Sequence, residues 1–467
     1  MRLTAAEIAT ATDGEIIAGT PDAVAQSFAI DSRTLEPGAC FVALTAERDG
    51  HDFVPDAFAR GATVAVVGRA VGAGDGPGLR TLVRAADPLT ALGALGTAAR
   101  DRLTDATVVG ITGSAGKTAT KDLVAAATRG SRRVTASPVS YNNEAGVPLT
   151  LLGADTDTEV VVAEMGARSA GNIADLCAIA RPRVGVITNI GLAHSGLLGG
   201  RAGVAAVKGE LLEALPGDGV AVLDAGDEHT PALARRTPAR VIRVGLGTDA
   251  GADVCATEVV LDEQLRPSFR LATPVGSATV RLGVRGEHQV LNAAMATAVA
   301  LEVGVPLDEI AAGLAQAESA PWRMELMHTP SGIAILNDAY NASPTSTTAA
   351  LRALARLPVG GRRMAVLGEM RELGAESDAA HADMGRIAVE CGVDVMVVVG
   401  SVARPAGSGA RAAARGGVEV VDVPDAAAAL DAIARRVEPG DAVLVKASRA
   451  VGLERVAEAL ADEAASA

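Results

Sequence analysis

The chain has 467 residues, 49% of them hydrophobic, and this length exceeds one ordinary domain core, so we expect about three domains. Acidic residues outnumber basic ones by 56 to 42, which gives a formal net charge of −14 and argues against a broad nucleic-acid-binding surface. The four cysteines are far apart and form no C-x-x-C pair, so neither a disulfide framework nor a zinc ribbon is expected at Cys40, Cys177, Cys255 and Cys391.

The first segment, which we place at residues 1–86, predicts a small α/β domain. Its start, MRLTAAEIATATDGEI, has no long apolar run and contains a Thr4-x-x-Glu7 capping box, so it predicts a folded helix rather than a signal peptide. Further on, GACFVALTAERDGHDFVPDAFARGATVAVVG places two strand-like runs around a helix-like middle. No stretch of the chain is long and apolar enough to span a bilayer, and we expect a cytoplasmic protein.

Residues 87–321 predict a second α/β domain with a largely parallel sheet. After the helical stretch ALGALGTAARDRL, the strand-length runs ATVVGIT, VVVAEMGA, VGVITNIG and GVAVLDAG alternate with helical stretches. LDEQLRPSFRLATPVGSATVRLGVRG then predicts short antiparallel strands, and HQVLNAAMATAVALEVG predicts a helix. Residues 322–467 form a third segment, whose runs MAVLGEM, VDVMVVVG and DAVLVKAS predict a Rossmann-like α/β domain.

A phosphate-binding turn follows the first strand of the second segment, in VVGITGSAGKTATKDLV. The pattern G-x-x-G-K-T after an apolar strand points backbone N–H groups at an anion, while the lysine adds charge and the threonine offers a hydroxyl to a metal. The usual first glycine of the longer pattern would fall on Ile111, whereas the glycine here is Gly110. The alternative is a chance glycine-rich turn, which the strand and the helix around it make the weaker interpretation. The turn consists of Gly113, Ser114, Ala115, Gly116, Lys117 and Thr118.

Three polar residues downstream are candidates for the same site. Glu164 ends an apolar strand and could bind the Mg²⁺ of a nucleotide, although a solvated loop acid is the alternative. His194 follows the next strand, next to loop glycines, although a lone histidine is more often structural. Lys208 lies in a helical stretch and by itself predicts only a solvated charge.

The third segment contains a polar cluster, NDAYNASPTST, after the strand-like run GIAIL. It holds Asp338, Tyr340 and Asn341, and an ordinary turn is the alternative because these residue types favour turns. Arg323, at the predicted domain junction, could clamp a phosphate across a cleft or lie on the surface. Four further residues follow apolar runs and could line this rim: Glu369, Lys446, Ser448 and Arg449.

These strings, in this order, resemble the Mur ligases of peptidoglycan synthesis over essentially the whole chain. The strings are DSRTLEPGACFVAL, TGSAGKT, YNNEAGVPLTLL, AEMGA, ITNIGLAHSG, VKGELL, GEHQVLNA, NDAYNASPTS, LGEMRELG and VKASR. The resemblance implies an α/β fold of three domains, with a central parallel-sheet P-loop domain for ATP between a small domain for the UDP end and a carboxy-terminal Rossmann-like domain. It implies ATP-dependent addition of D-alanyl-D-alanine to UDP-N-acetylmuramoyl-tripeptide through an acyl phosphate. The chain departs from the family at Thr45-Ala46, where Lys-Gly is common, and at Trp322, where glycine is frequent.

The resemblance also implies roles for individual residues. Lys117 would hold the transferring phosphate, Thr118 and Glu164 a first Mg²⁺, and His194 a second. Lys208 matches the lysine that this family carbamoylates with CO₂, which turns a cation into an anion able to bind the second metal ion. The remaining ATP contacts would come from the turn residues Gly113, Ser114, Ala115 and Gly116, from Asn292 at the adenine, from Arg323 at the γ-phosphate and from Asp338 at the ribose. The two other substrates would be contacted by Ser32, Arg33, Asn142, Asn143, Tyr340, Asn341, Lys446, Ser448 and Arg449.

Two other functions stay open at this point. One is the Mur ligase that adds a single amino acid, whose third domain usually carries Asp-Asn-Pro-Arg where this chain has LGEMRELG. The other is a regulator that binds nucleotide without catalysis, which the presence of Glu164, His194 and Lys208 argues against. Folylpolyglutamate synthetase fits the amino-terminal strings poorly. We expect a monomer without nucleic-acid or membrane partners, and the third residue of the tripeptide, diaminopimelate or lysine, is left open.

Overall fold

The computed structural model describes residues 1–72, 80–138, 140–192, 195–247, 251–414 and 417–463. In these ranges the chain forms three α/β units, each built on its own sheet. The predicted α/β fold class is confirmed. No helix in the described ranges is long and apolar enough to cross a bilayer.

The first unit is a mixed five-stranded sheet with the strand order β2-β7-β6-β5-β4. Strands β4 to β7 run parallel and β2 joins β7 in the antiparallel sense. The predicted capping box at the start of α1 is present, since Thr4 and Glu7 bind each other's backbone N–H groups. The elements are β1 Leu3–Thr4, α1 Ala5–Ala11, β2 Glu15–Ala18, β3 Val24–Ala25, β4 Ser27–Ala29, β5 Ala39–Val42, α2 Val54–Ala59, β6 Val64–Val67 and β7 Thr81–Arg84.

The central unit is a nine-stranded sheet with the order β16-β15-β14-β13-β12-β11-β8-β10-β9 in the described residues. Its strands are parallel from β9 to β14, while β15 and β16 are antiparallel, as the sequence predicts. The elements are α3 Pro88–Arg102, β8 Thr107–Thr112, α4 Lys117–Arg129, β9 Val134–Ala136, α5 Gly146–Leu152, β10 Val160–Glu164, α6 Asn172–Ala180, β11 Val184–Ile187, α7 Ser195–Leu198, α8 Gly200–Glu213, β12 Val220–Asp224, α9 Thr230–Leu233, β13 Arg240–Leu246, β14 Val254–Leu261, β15 Pro267–Thr273, β16 Gly276–Arg281, α10 Gln289–Glu302 and α11 Leu307–Ala315.

The third unit is a six-stranded sheet with the order β17-β18-β22-β19-β20-β21, parallel except for the edge strand β17. Buried apolar clusters cover both of its faces, because residues alternate between them along buried strands such as β22. The elements are β17 Glu325–His328, β18 Ala334–Asn337, α12 Pro344–Arg356, β19 Arg363–Leu367, α13 Ser377–Glu390, β20 Val395–Val399, α14 Arg404–Ala413, β21 Glu419–Val423, α15 Ala426–Ala434, β22 Ala442–Lys446 and α16 Glu454–Glu463.

The first and central units share an apolar core. Ile8 of α1 and Val64 of β6 belong to the same buried cluster as Leu92 and Leu95 of α3 and Leu151 of α5. All five are 0% exposed, and each large buried aliphatic side chain contributes about 1.5–3 kcal/mol of hydrophobic stabilisation. The first unit is therefore packed firmly on the central one. The third unit also shares a buried cluster with the central one, through Leu265, and contacts it at Thr118.

Candidate active site

The predicted phosphate turn, residues 113–118, runs from the end of β8 into the first two residues of α4. Gly113 has a φ of +150° and Gly116 has a φ of +82°, and L side chains rarely adopt such angles. A Cβ at Gly113 would overlap the hydroxyl of Thr188, and one at Gly116 would lie 3.0 Å from Asn292 Oδ1. Close packing therefore fixes the turn in front of the helix N-terminus and places Asn292 of α10 beside it.

Asn189, which the sequence analysis did not single out, braces this turn. The Ser114 N–H donates to the Asn189 carbonyl oxygen and the Ala115 N–H donates to Asn189 Oδ1, both at 3.1 Å. The amide of Asn189 donates back to the Ala115 carbonyl oxygen at 3.0 Å. These two N–H groups, which we expected to face a phosphate, are therefore engaged within the protein in this structure. The available signal was the position of Asn189 just after strand β11, at the edge of the sheet where ligands bind.

Glu164 lies directly beside the turn because β8 and β10 are parallel neighbours, with Ile111 paired to Glu164 at their carboxyl ends. The Thr118 hydroxyl donates to Glu164 Oε2 at 2.8 Å, and the Asn142 amide donates to Glu164 Oε1 at 2.8 Å. Glu164 is only 1% exposed, so its carboxylate is a buried acceptor rather than a solvated loop acid. The structure thus brings together Thr118 and Glu164, which were predicted to bind one Mg²⁺, and Asn142, which was predicted to contact the muramoyl peptide.

Lys208 of α8 is fully buried, and its Nζ has no hydrogen-bond partner among the described residues. Burial, followed by the nearby positive charge of Lys117, holds the pKa of Lys208 well below its usual value of 10.5. The pKa of Lys117 is also lowered, mainly by burial, while Glu164 acts in the opposite direction. Lys117 Nζ donates to the carbonyl oxygen of Gly113 at 2.8 Å. The chain therefore buries an unpaired amine close to the phosphate turn, where a neutral lysine is favoured.

His194, which we predicted to be a second metal ligand, lies outside the described residues. The helix α7 begins immediately after it, at Ser195. Within the described ranges no group of three His, Cys, Asp or Glu side chains lies close enough together to hold a metal ion.

Arg323 reaches the phosphate turn from the segment that leads into the third unit. Its Nη2 donates to the hydroxyl of Thr118 at 3.1 Å and to the hydroxyl of Ser140 at 3.4 Å. The guanidinium also lies over the ring of Tyr340, 4.0 Å from its centroid. Ser140 contacts Thr118 in turn, with 3.1 Å between the two hydroxyl oxygens. The structure thus connects Arg323 and Tyr340 to the phosphate turn of the central unit.

Asp338 and Lys446 form a buried ion pair at the carboxyl ends of β18 and β22. Lys446 Nζ lies 2.5 Å from Asp338 Oδ2 and donates to the carbonyl oxygen of Asn341 at 2.8 Å. The side chains of Lys446 and Asp338 are 1% and 13% exposed. Asp338 Oδ1 also accepts the Met324 N–H at 3.1 Å. Lys446 therefore fixes Asp338 and the loop after β18 through these buried contacts.

The loop LGEMRELG packs next to this group. The Arg371 N–H donates to Ser448 Oγ at 3.0 Å, and the Ser448 N–H donates to the carbonyl oxygen of Glu369 at 2.9 Å. His381 Nε2 accepts the Met370 N–H at 2.9 Å. Ser448 is thus engaged with this loop, which side-chain and backbone contacts hold from both sides.

The remaining predicted residues occupy two other places. Ser32, on the first unit, donates to Asp56 Oδ2 at 2.7 Å, and the exposed Arg33 pairs with Asp31 at 2.7 Å. Both residues thus contact partners within the first unit, and not the described residues around the phosphate turn. Asn143 Oδ1 accepts the Gly146 N–H at 2.9 Å, at the first residue of α5.

Comparison with known proteins places this architecture in a family. Residues 111–300 match the Mur ligase middle domain, and residues 322–449 match the Mur ligase glutamate ligase domain. The chain is 41% identical to a UDP-N-acetylmuramoyl-tripeptide–D-alanyl-D-alanine ligase of Mycobacterium tuberculosis, over 98% of both chains. It is 37% identical to the Escherichia coli protein of the same name, over 79% of this chain and 80% of the other.

Solved structures agree with the sequence matches. A crystal structure of MurF from Acinetobacter baumannii covers 99% of both chains, with a TM-score of 0.86 and 33% identity. MurF from Thermotoga maritima in complex with ADP covers 94% of this chain and 97% of its own, with a TM-score of 0.76 and 30% identity. These matches confirm the predicted resemblance and show that the chain belongs to the Mur ligase family, in the group of the UDP-N-acetylmuramoyl-tripeptide–D-alanyl-D-alanine ligases.

Proposed function

We propose that this chain joins D-alanyl-D-alanine to UDP-N-acetylmuramoyl-tripeptide with consumption of ATP, which makes the pentapeptide precursor of peptidoglycan. The observation that carries the proposal is the cluster around Thr118: its hydroxyl contacts Glu164 at 2.8 Å and the Arg323 guanidinium at 3.1 Å, beside the phosphate turn. Such an arrangement gathers a lysine, an arginine and a carboxylate where a γ-phosphate would be transferred.

The proposed reaction has two steps. The terminal carboxylate of the tripeptide attacks the γ-phosphorus of ATP, which gives an acyl phosphate and releases ADP. The amine of D-alanyl-D-alanine then attacks the acyl carbon, loses a proton and expels inorganic phosphate, which leaves an amide bond. A carboxylate is a poor acyl donor, and its phosphorylation supplies the leaving group.

The residues of the chain hold and orient the reactants. Lys117, at the start of α4, places its charge at the turn and would contact the transferring phosphate together with Arg323. Asn292 lies beside Gly116 and would face the adenine. Asp338, fixed by the buried Lys446, would accept hydrogen bonds from the hydroxyl groups of the ribose. The positive charges of Lys117 and Arg323 would oppose the negative charge that collects during phosphoryl transfer.

The residues present fit Mg²⁺. The Thr118 hydroxyl and the Glu164 carboxylate are hard oxygen donors held 2.8 Å apart, and they would hold a first ion. We propose His194 and a carbamoylated Lys208 for a second. Bound Mg²⁺ supplies neutralisation of phosphate charge.

The buried amine of Lys208 supports carbamoylation. Its depressed pKa favours the neutral amine, which is the form that adds CO₂ and then releases a proton to give a carbamate anion. An unpaired buried ammonium next to Lys117 would be costly, whereas a carbamate would meet positive charge there. Carbamoylation would account for a buried Lys208 amine that has no hydrogen-bond partner among the described residues.

The other substrates would bind on either side of this centre. Ser32 and Arg33 would contact the UDP portion, and Asn142 and Asn143 the muramoyl peptide. The dipeptide would lie toward the third unit, at Tyr340, Asn341, Lys446, Ser448 and Arg449, where Lys446 acts through the loop that it holds. We also propose domain borders at 86/87 and 321/322, which fall between the three sheets.

We propose that the enzyme acts as a monomer in the cytoplasm. Arg323 and Thr118 of one chain meet at the phosphate turn, so no second copy is needed to bring Arg323 to the site. Cys40, Cys177 and Cys391 form no disulfide in the structure, which is consistent with a reducing compartment.

The test is the identity of the product. Purified protein, ATP, Mg²⁺, UDP-N-acetylmuramoyl-tripeptide and D-alanyl-D-alanine are incubated, and the nucleotide-sugar peptides are analysed by mass spectrometry. A product that is heavier than the tripeptide substrate by two alanine residues supports the proposal. A product with one amino acid added from a mixture of amines, or no product with any amine, would refute it.

A further inference from the structure

The segment that joins the central and third units contains two strained residues, which flank Arg323. Trp322 has a φ of +58° and Met324 has a φ of +50°. These are left-handed angles that L side chains other than Asn and Asp rarely adopt, because Cβ approaches the backbone too closely. Such angles persist only where the surrounding structure imposes them.

The contacts of Trp322 show what holds it in this conformation. The indole Nε1–H donates to Glu458 of α16 at 2.9 Å, and the guanidinium of Arg449 lies over the indole, 4.2 Å from a ring centroid. Arg449 is fixed in turn by Glu454 at 2.8 Å. The carbonyl oxygen of Trp322 accepts the Tyr340 N–H at 3.1 Å. All of these partners belong to the third unit, so the linker residue Trp322 is docked on that unit.

Arg323 is thereby held from both sides. Before it, Trp322 is fixed by the contacts just described, and after it the Met324 N–H donates to Asp338 at 3.1 Å. Its own guanidinium stacks on Tyr340, yet its Nη2 donates to Thr118 across the junction. The backbone of Arg323 thus belongs to the third unit, while its charged end reaches the phosphate turn of the central unit.

We propose that Trp322 is a positioning residue that fixes Arg323 to the third unit, so that the guanidinium reaches the phosphate turn of the central unit, where the ATP phosphates would bind. The inference rests on the proposed function, since it takes Arg323 to contact phosphate. The bulky indole, rather than a glycine, provides the anchor at this left-handed position, and its contacts offset the backbone strain.

The experiment is a double-mutant cycle with Trp322→Ala and Arg323→Ala. Trp322→Ala should lower kcat by about 10-fold or more, because Arg323 would no longer be held in position. Trp322→Phe keeps an aromatic ring for Arg449 and should recover most of that loss. In the Arg323→Ala background, Trp322→Ala should change kcat by less than about 2-fold, because it acts through Arg323.

A general loss of stability would behave differently, so the matched control is Arg181→Ala, at an exposed left-handed residue of the central unit with a φ of +45°. Its effect on kcat should be small and the same in both backgrounds. Equal losses from Trp322→Ala with and without Arg323, or an unchanged kcat, would overturn the inference. If the wild-type protein forms no ligation product, the proposed function fails, and the same cycle is then measured on the Kd of a non-hydrolysable ATP analogue, with the same non-additivity expected.

Discussion

Arg323 donates a hydrogen bond to the hydroxyl of Thr118 at 3.1 Å, which joins the segment leading into the third unit to the phosphate turn of the central one. Thr118 also donates to Glu164, so a single hydroxyl lies between a guanidinium and a carboxylate. The guanidinium comes from the segment docked on the third unit and the carboxylate from the central unit. Both groups are therefore present at Thr118 only when the two units are in contact.

Lys208 is the residue whose chemistry is most specific to the proposed mechanism. With ¹³C-labelled bicarbonate, NMR of the wild-type protein should show a carbamate resonance that is missing from Lys208→Ala. Lys121→Ala is the matched control, because Lys121 is also buried but donates to the carbonyl oxygen of Ser137, at 2.5 Å. The resonance should persist in that variant. Its persistence in Lys208→Ala would contradict the carbamate assignment.

Loss of the Lys208 side chain should also abolish ligation, because the site would lose the carbamate anion that we propose next to Lys117. Short carboxylates such as acetate, added at high concentration, should restore part of the rate. Full activity of Lys208→Ala without any addition would show that the lysine is dispensable.

Glu164→Gln should lower kcat by about 100-fold or more, since the amide keeps the shape of the side chain but removes the charge offered to Mg²⁺. Initial rates are measured over a range of MgCl₂ concentrations, and the variant should need more Mg²⁺ for half-maximal rate. Glu159→Gln is the control, because Glu159 lies just before the same strand, β10, and pairs with surface arginines. A variant of Glu164 with a normal Mg²⁺ dependence would remove this residue from the metal site.

Lys446→Met should destabilise the protein by about 3–5 kcal/mol, because it leaves the largely buried Asp338 carboxylate without its partner. Urea unfolding, followed by far-ultraviolet circular dichroism, measures the change. The double variant Lys446→Met with Asp338→Asn should be more stable than Lys446→Met alone, since no unpaired charge remains. Arg386→Ala, which breaks an exposed pair with Glu390, should have little effect. Equal stabilities of Lys446→Met and the wild type would contradict this account of the pair.

The buried His381 should make the third unit sensitive to mild acid. Burial lowers the pKa of His381 from its ordinary value of 6.5, and its Nε2 accepts the Met370 N–H only when that nitrogen is unprotonated. Because the folded-state pKa is below the unfolded one, this stability is fully present above about pH 6.5. It is lost as the pH falls from there through the folded-state pKa. Urea unfolding between pH 7.5 and 5 should show this loss in the wild type and a smaller one in His381→Gln. Identical pH profiles would refute the assignment.

Much of the fold could be predicted because the signals were local. Apolar runs of strand length alternate with helical periodicity, and the turn from β8 to α4 carries its glycines and lysine in one short string. The antiparallel strands β15 and β16 could likewise be predicted, because the sequence changes there to short strand-like runs separated by turns. Strand order is different, because it depends on which distant strands pair, and nothing local in the sequence encodes the neighbours of β8.

The site was harder to predict, because its contacts join residues far apart in the chain. The state of Lys208 depends on burial by surrounding elements, and α8 alone predicts a solvated charge. The bracing of the phosphate turn by Asn189 and the left-handed backbone at Trp322 are tertiary features, for which residue type gives little signal. The family resemblance, rather than periodicity, suggested the role that we propose for Lys208.

The most direct test of the central claim is phosphate release from ATP with a panel of acceptors. Each assay contains the protein, ATP, Mg²⁺ and UDP-N-acetylmuramoyl-tripeptide, with D-alanyl-D-alanine, single D- or L-amino acids, or no amine. We predict sustained phosphate release with D-alanyl-D-alanine and no sustained release in the assay without an amine. Release with single amino acids but not with the dipeptide, or no release with any amine despite ATP binding, would contradict the account.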